Sequence, residues 1–186
     1  MTRPGHPWTL RAATPHDQEA IVGIWHRGWR DAHLGRVPAT LLAHRRPQDF
    51  SSLVPARLPS TTVAEVDSSP VGFVVVKDDE VEQIYVDSTA RGTGVAAALL
   101  GHAEEVIARH YGRAWLAVVA GNARARSFYQ RHGWSDGGAF NYHAATPTGD
   151  TVEVPVHRYE KPLGEKQNWG EAEDGGPETE DGRRET

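Results

Sequence analysis

One β-α-β unit near the middle of the chain constrains the fold more than any other feature. A strand pattern over residues 81–86 is followed by an Ala/Leu-rich helical pattern over about 94–110 and by an apolar run over 114–120. Two neighbouring strands joined through such a helix lie parallel in one sheet, because the helix carries the chain back to the edge where it started. The run at 114–120 shows no alternation of polar and apolar residues, which is typical of a strand covered on both faces.

The segments before this unit predict antiparallel pairing instead. Strand patterns cover residues 61–66 and 71–77, and links as short as Ser68-Ser69-Pro70 and Asp78-Asp79-Glu80 can join only antiparallel neighbours. The other predicted elements are a strand at 8–12, a helix that begins at Thr14-Pro15, a short helix at about 39–46, a helix from Asn122 to near Gly133, and strands at 134–144 and 151–160. This order predicts an α+β (mixed α/β) fold, with a mostly antiparallel central sheet of about seven strands, flanking helices and one β-α-β crossover.

Charge divides the chain into two parts. Residues 164–186 contain eight acidic and three basic residues, which accounts for the whole formal charge of −5. This segment shows no apolar period, so we expect a flexible acidic tail that follows one folded domain at residues 1–163. The remainder is neutral and offers no electrostatic footprint for nucleic acid, so we expect no nucleic-acid partner.

Composition excludes several classes of site. The chain has no cysteine, which excludes disulfides and a cysteine nucleophile, and its ten histidines never adopt the HExxH spacing, so no metal site is expected. No apolar run approaches the roughly 20 residues that span a bilayer, and the N-terminal MTRPGHPW lacks the apolar region of a signal peptide. We therefore expect a cytoplasmic protein with no membrane partner.

A glycine-rich turn lies at the start of the long helix. In Arg91-Gly92-Thr93-Gly94-Val95-Ala96, the glycines let backbone N–H groups approach an anion where the helix dipole favours negative charge. The turn also satisfies the G-x-G-x-x-A pattern of dinucleotide sites, but the next strand ends in Gly121-Asn122 without the acidic residue that holds the ribose. No Gly-Lys-Ser/Thr follows, which excludes a P-loop. A second candidate is the pyrophosphate of coenzyme A, which has the same physical requirement.

Three segments together resemble a known family. Arg91, Gly94 and Ala96 match the Arg/Gln-x-x-Gly-x-Gly/Ala motif of the GNAT N-acetyltransferase superfamily. Residues 122–134, with their Asn-Ala start, Phe-Tyr pair and Gly-Trp end, resemble a second pattern of that family, and residues 82–87 resemble its fourth strand. The segments occur in the family's order. Ser88 departs from the proline often found after the Val-Asp pair, and we expect this change to matter little.

The resemblance implies acetyl-CoA as co-substrate and a primary amine, on a small molecule or a protein, as acceptor. It also implies direct attack of the amine in a ternary complex, by a monomer or a homodimer. The alternative from another class is a non-catalytic, acyl-CoA-binding regulatory module. The residues that the resemblance assigns to the co-substrate are Ile84, Tyr85, Val86, Arg91, Gly92, Thr93, Gly94, Val95, Ala96, Asn122, Ala125 and Tyr129.

Catalytic roles follow from the same resemblance and from what the chemistry requires. Tyr129 is the candidate acid for the departing thiolate, and Asn122 also has the sequence position of a helix cap. Glu82 is the first choice for the base that deprotonates the amine, with Glu80 second and an ordered water beside backbone carbonyls as a third possibility. The expected acceptor-binding residues are Trp25, Trp29 and His33.

Overall fold

Hydrogen-bonded strands join the whole described chain into one mixed sheet. The computed structural model describes residues 8–164. The strands are β1 (Thr9–Ala12), β2 (Thr61–Val66), β3 (Ser69–Lys77), β4 (Glu80–Val86), β5 (Arg113–Val119), β6 (Ser135–Ala145) and β7 (Thr151–Pro162), in the spatial order β1-β2-β3-β4-β5-β7-β6. Within residues 8–164, only β4 and β5 pair in parallel, and every other neighbouring pair is antiparallel. The predicted fold class, including its single crossover, is confirmed.

Helices cover both faces of this sheet. They are α1 (Gln18–His33), α2 (Ala39–Leu42), α3 (Pro47–Leu53), α4 (Val95–Ala108) and α5 (Ala123–Arg131), with 3₁₀ turns at Pro15–Asp17, Pro55–Ser60 and Ser88–Ala90. On one face, α4 presents a stripe at intervals of four residues, and Val95, Leu99, Ala103 and Ile107 are almost completely buried there. On the other face, α1 packs Ile21, Ile24 and Trp25 against α3 and β3. Each fully buried large apolar side chain stabilises the fold by about 1.5–3 kcal/mol.

The region after α1 differs from the sequence-based prediction. A single short helix at 39–46 was expected, and the chain instead forms α2 and then a separate helix, α3. Arg46 is extended (φ −81°, ψ 162°) because the proline that follows it disfavours a helical conformation. Pro47 then occupies the first turn of α3, and the backbone N–H of Arg46 donates to the Asp49 carboxylate at 2.8 Å. This cap separates two helices where apolar spacing alone suggested one.

Two further expectations concern the acidic tail and membrane-spanning segments. The acidic segment at 164–186 lies outside the described residues except for Gly164. Among residues 8–164, no helix is both long enough and apolar enough to cross a bilayer.

Candidate active site

The parallel pair β4–β5 separates almost as soon as it forms. Glu80 and Trp115 are its one register pair within residues 8–164, although both strands continue for several residues. Next to this pair, Val75 faces Gln83 while Val76 faces Val81, so Glu82 is the extra residue of a β-bulge. A bulge bends and twists its strand. The separation leaves the main chain of residues 83–86 without a strand partner on the β5 side, where an extended ligand can bind as an added strand.

A cavity of about 620 Å³ occupies the space between the separated strands. Its walls bring together most of the residues predicted from the sequence: Trp25, Trp29, His33, Glu80, Glu82, Ile84, Tyr85, Val86, Arg91, Gly92, Gly94, Ala96, Asn122, Ala125 and Tyr129. Two predicted residues do not line it. The Val95 side chain is fully buried in the α4 core. The Thr93 hydroxyl donates to the carbonyl of Ala90 at 2.7 Å, so it holds the turn from within.

The glycine turn has the backbone conformation that an anion site needs. Gly92 and Gly94 have φ values of +81° and +88°, which residues with a Cβ rarely adopt. A Cβ built on either glycine would meet nothing within 4 Å, so the turn faces open space. The first N–H groups of α4, from Val95 to Ala97, have no partner inside the helix. The turn therefore forms a concave surface of N–H donors at the positive end of a helix dipole.

Ion pairs tie this turn to α1. Arg91 Nη2 lies 2.6 Å from Asp31 Oδ2, and Arg27 Nη2 lies 2.6 Å from Asp87 Oδ2. Asp87 also accepts the backbone N–H of Thr89 at 3.0 Å, and these contacts lower its pKa to about 2. Both pairs are partly exposed, so each stabilises the fold only weakly. They join the turn to α1, which also lines the cavity.

Helix α5 contributes Asn122 and Tyr129. The Asn122 side chain accepts the backbone N–H of Ala125 at 3.1 Å, which confirms its predicted cap. Tyr129 is only 7 % exposed and packs against the rings of Phe128, Trp134 and Tyr159. Burial raises the pKa of Tyr129, so its hydroxyl keeps its proton at neutral pH.

The two candidate carboxylates have different surroundings. Glu82 is bound by Arg57, whose Nη2 and Nε lie 2.6 and 3.0 Å from its two oxygens, in a bidentate pair. Among the described residues, no arginine pairs with Glu80, and its Oε1 accepts a hydrogen bond of 2.9 Å from the Tyr142 hydroxyl. Burial raises the pKa of Glu80 to about 6, and the hydrogen bond from Tyr142 offsets only part of this effect. Glu80 is therefore the carboxylate that can exchange a proton near neutral pH.

The predicted acceptor-binding residues lie at intervals of four on α1. The rings of Trp29 and His33 stack at 4.8 Å with an angle of 7° between them. His33 Nδ1 lies 2.9 Å from the Trp29 carbonyl oxygen, which can only accept, so this nitrogen carries the proton. Burial lowers the pKa of His33 to about 4, so the ring is neutral at physiological pH. The indole N–H of Trp25 is the one fully buried side-chain polar atom among the described residues without a hydrogen-bond partner.

Sequence reasoning missed several polar side chains in this cavity: Arg45, Gln83, Arg124, Arg131 and Tyr142. Tyr142 carries a weak signal, since Phe140, Tyr142 and Ala144 alternate with polar residues and place one apolar face of β6 toward the core. Arg45 carries none, because it lies in the short linker between α2 and α3, where the prediction was wrong.

Comparison with known proteins agrees with this architecture. The profile of the Acetyltransferase (GNAT) family matches residues 23–134, which is more than half of the chain. A search of curated proteins gives no significant match.

Solved acetyltransferase structures are similar in fold. A GCN5-related N-acetyltransferase from Rhodopseudomonas palustris superposes with a TM-score of 0.65 at 18 % identity, over 87 % of this chain and 99 % of the other. An N-acetyltransferase from Staphylococcus aureus gives 0.62 at 22 % identity, over 84 % and 99 %. A ribosomal-protein-alanine N-acetyltransferase from Brucella melitensis gives 0.61 at 22 % identity, over 83 % and 99 %. The cavity between the separated strands and the glycine turn beside it agree with the matching profile. Because this profile covers more than half of the chain, the chain belongs to the Acetyltransferase (GNAT) family.

Proposed function

We propose that the protein is an N-acetyltransferase that moves an acetyl group from acetyl-CoA to a primary amine by direct attack in a ternary complex. One observation carries the proposal: the glycine turn, Tyr129 and Glu80 line the same cavity. Members of the GNAT family generally use acetyl-CoA. The absence of cysteine from the sequence agrees with transfer that involves no thiol carrier on the protein.

The residues present fit coenzyme A. The open space above Gly92 and Gly94 can admit a pyrophosphate, whose charge the N-terminal dipole of α4 favours. Arg124 and Arg131 on α5 line the same cavity and add positive charge. The unpaired main chain of residues 84–86 can bind the pantetheine arm as an added strand, and an N–H there can donate to the thioester oxygen.

The chemistry requires two proton transfers by the protein. When bound, acetyl-CoA supplies the thioester whose carbonyl carbon is attacked by the amine. Glu80, ionised above a pKa of about 6, accepts the proton that the ammonium must lose before its nitrogen can attack. As the C–N bond forms and the C–S bond breaks, Tyr129 gives its hydroxyl proton to the thiolate sulfur. The nitrogen then loses its second proton, which passes through solvent to the Tyr129 phenolate and restores its hydroxyl. The net products are the amide, free coenzyme A and one proton.

The other candidate bases fit less well. Both oxygens of Glu82 already accept hydrogen bonds from the Arg57 guanidinium, so proton uptake by Glu82 would disrupt a bidentate ion pair. Glu82 therefore serves to neutralise Arg57 beside the bulge. A water held between Glu80 and the amine remains consistent with the proposal, because Glu80 is then still the final proton acceptor.

Calorimetry and a thiol-release assay test the proposal together. Acetyl-CoA should bind and NAD should not, and a panel of primary amines should include at least one that makes thiol release depend on both substrates. Binding of acetyl-CoA without turnover on any amine would support the regulatory-module alternative. A protein that binds no acetyl-CoA would overturn both.

A further inference from the structure

Arg45 is a partly buried cation that has no carboxylate partner within residues 8–164. Its Nη1 and Nη2 donate to the backbone carbonyls of His44 and Ala145 at 2.8 and 3.0 Å. Its guanidinium carbon lies 5.7 Å from the centre of the Trp29 ring, and the side chain lines the cavity. Most of the ion pairs in the structure join an arginine to an acid, and Arg45 takes part in none of them.

Two acids of this region, Asp49 and Glu82, are already bound to other arginines. Asp49, whose charge is felt at Arg45, forms hydrogen bonds with Arg46 at 3.1 and 3.2 Å. Arg57, which repels Arg45, takes both oxygens of Glu82. Desolvation by burial is the largest influence on Arg45 and lowers its pKa, although a guanidinium stays protonated in a protein. The folded chain therefore holds a positive charge at the cavity wall without neutralising it.

A partly desolvated cation of this kind is unfavourable unless a partner arrives with the ligand. The guanidinium has five N–H donors in a planar fork that suits carboxylate and phosphate oxygens. Two of these donors form hydrogen bonds with backbone carbonyl oxygens. Carbonyl groups are neutral, so these hydrogen bonds do not neutralise the charge of the guanidinium.

We infer that the acceptor amine also carries an anionic oxygen group, a carboxylate or a phosphonate, and that Arg45 binds this group. The inference rests on the proposed function. Strand β6 supplies both anchors, since Tyr142 holds Glu80 and the carbonyl of Ala145 holds Arg45, three residues further along. Three residues of strand span about 10 Å, which suits a small zwitterion such as an amino acid. A polyamine would instead bring a second positive charge toward Arg45.

The competing explanation is structural: Arg45 could simply fasten the α2–α3 linker to the end of β6. Acceptor pairs that differ only in the anion separate the two explanations. Suitable pairs are L-phenylalanine with phenethylamine, L-methionine with 3-(methylthio)propylamine, and 2-aminoethylphosphonate with ethylamine. The variants are Arg45→Gln and Arg45→Lys, with Arg30→Gln as control, because Arg30 is an exposed arginine on α1 outside the cavity.

Two readouts are needed: kcat/KM from thiol release, and Kd from calorimetry on the complex of the protein with coenzyme A. For at least one pair, the wild type should prefer the anionic member by about tenfold or more, which is the effect of one charge-assisted hydrogen bond. Arg45→Gln should remove that preference by weakening the anionic member alone, and Arg45→Lys should restore part of it. Arg30→Gln should behave as the wild type.

Three outcomes would overturn the inference: a wild type that binds the anionic and non-anionic members equally, one that prefers the non-anionic members, or an Arg45→Gln variant that weakens both members of a pair to the same extent. Failure of the proposed function looks different, because thiol release is then absent with every acceptor. In that case the calorimetric preference of the coenzyme A complex still decides the role of Arg45.

Discussion

The Tyr142 hydroxyl lies 2.9 Å from Oε1 of Glu80 and donates a hydrogen bond to it. A hydrogen bond to an ionised carboxylate lowers the carboxyl pKa, whereas burial raises it. Burial dominates at Glu80, and the pKa rises to about 6. The pair therefore keeps a carboxylate in a fixed orientation while leaving its proton affinity close to that of a histidine.

Replacing Glu80 with Gln should lower kcat by roughly 10²–10⁴, the usual contribution of a general base. The wild-type kcat/KM should rise with pH through about 6, because only the ionised form of Glu80 can accept a proton. The variant should lose this inflection, measured by thiol release from about pH 5 to 9. Glu82→Gln is the matched control on the same strand and should keep the inflection, although it leaves Arg57 unpaired and lowers stability. The reverse pattern would identify Glu82 as the base.

The Glu80→Gln substitution should also make the protein more stable above neutral pH. The pKa of Glu80 is raised by folding, from 4.5 to about 6, so the folded state disfavours the ionised form. The resulting loss of folding stability is absent when the pH is below the pKa of Glu80 in the unfolded chain. It is complete when the pH is above the pKa in the folded protein, where it amounts to about 2 kcal/mol. Urea unfolding at about pH 8 should therefore show a larger free energy of unfolding for Glu80→Gln than for the wild type. The difference should shrink at about pH 5, and an equal difference at both pH values would contradict the raised pKa.

The choice between these two carboxylates shows how far sequence reasoning extends. The strand, the glycine turn and the spacing of Trp25, Trp29 and His33 follow local rules, so the sequence predicts them. Glu82 forms an ion pair with Arg57, which lies 25 positions earlier. Arg57 belongs to a 3₁₀ turn that no sequence pattern predicted. Burial in the folded chain raises the pKa of Glu80, and Tyr142 of β6, more than sixty residues away, donates a hydrogen bond to it. Contacts between distant segments favour Glu80 over Glu82 as the proposed base, and apolar periodicity does not indicate such contacts.

Removing the Tyr129 hydroxyl should affect turnover more than binding. Tyr129→Phe keeps the ring that packs against Trp134 and Tyr159, so the fold should remain. Without the acid, kcat should fall by about 10² or more, while the Kd for acetyl-CoA should change by less than about threefold. Tyr111→Phe, at an exposed tyrosine, is the control. Unchanged kcat in Tyr129→Phe would remove the proposed acid.

Adding one methyl group at the glycine turn should weaken co-substrate binding. In Gly94→Ala, the φ value of +88° strains the new residue by about 1–2 kcal/mol, and the Cβ extends into the open side of the turn. The Kd for acetyl-CoA, measured by calorimetry, should rise by about tenfold or more. Gly101→Ala is the matched control within α4, where a Cβ also meets nothing and the φ value is not positive. It should leave binding unchanged and stabilise the helix by about 0.5–1 kcal/mol.

Glycine is required at position 28 for a different reason, which is the close approach of α1 to β4. A Cβ on Gly28 would lie 2.5 Å from Cδ1 of Tyr85, so this partly buried ring would have to move. Overpacking of this kind destabilises a protein by about 1–3 kcal/mol, against a gain in helix propensity of at most about 1 kcal/mol. The displaced ring would also narrow the cavity that Tyr85 lines.

Gly28→Ala should therefore lower both the free energy of unfolding and the affinity for acetyl-CoA, measured by urea unfolding and calorimetry. Gly23→Ala, one and a half turns earlier on α1, is its control, because the added Cβ there meets only the flexible end of Arg27, at 3.1 Å. That variant should be as stable as the wild type or more so. Combining Gly28→Ala with Tyr85→Leu should recover stability if the ring is the obstacle. A double variant that stays as unstable as Gly28→Ala would show that the helix backbone itself resists the change.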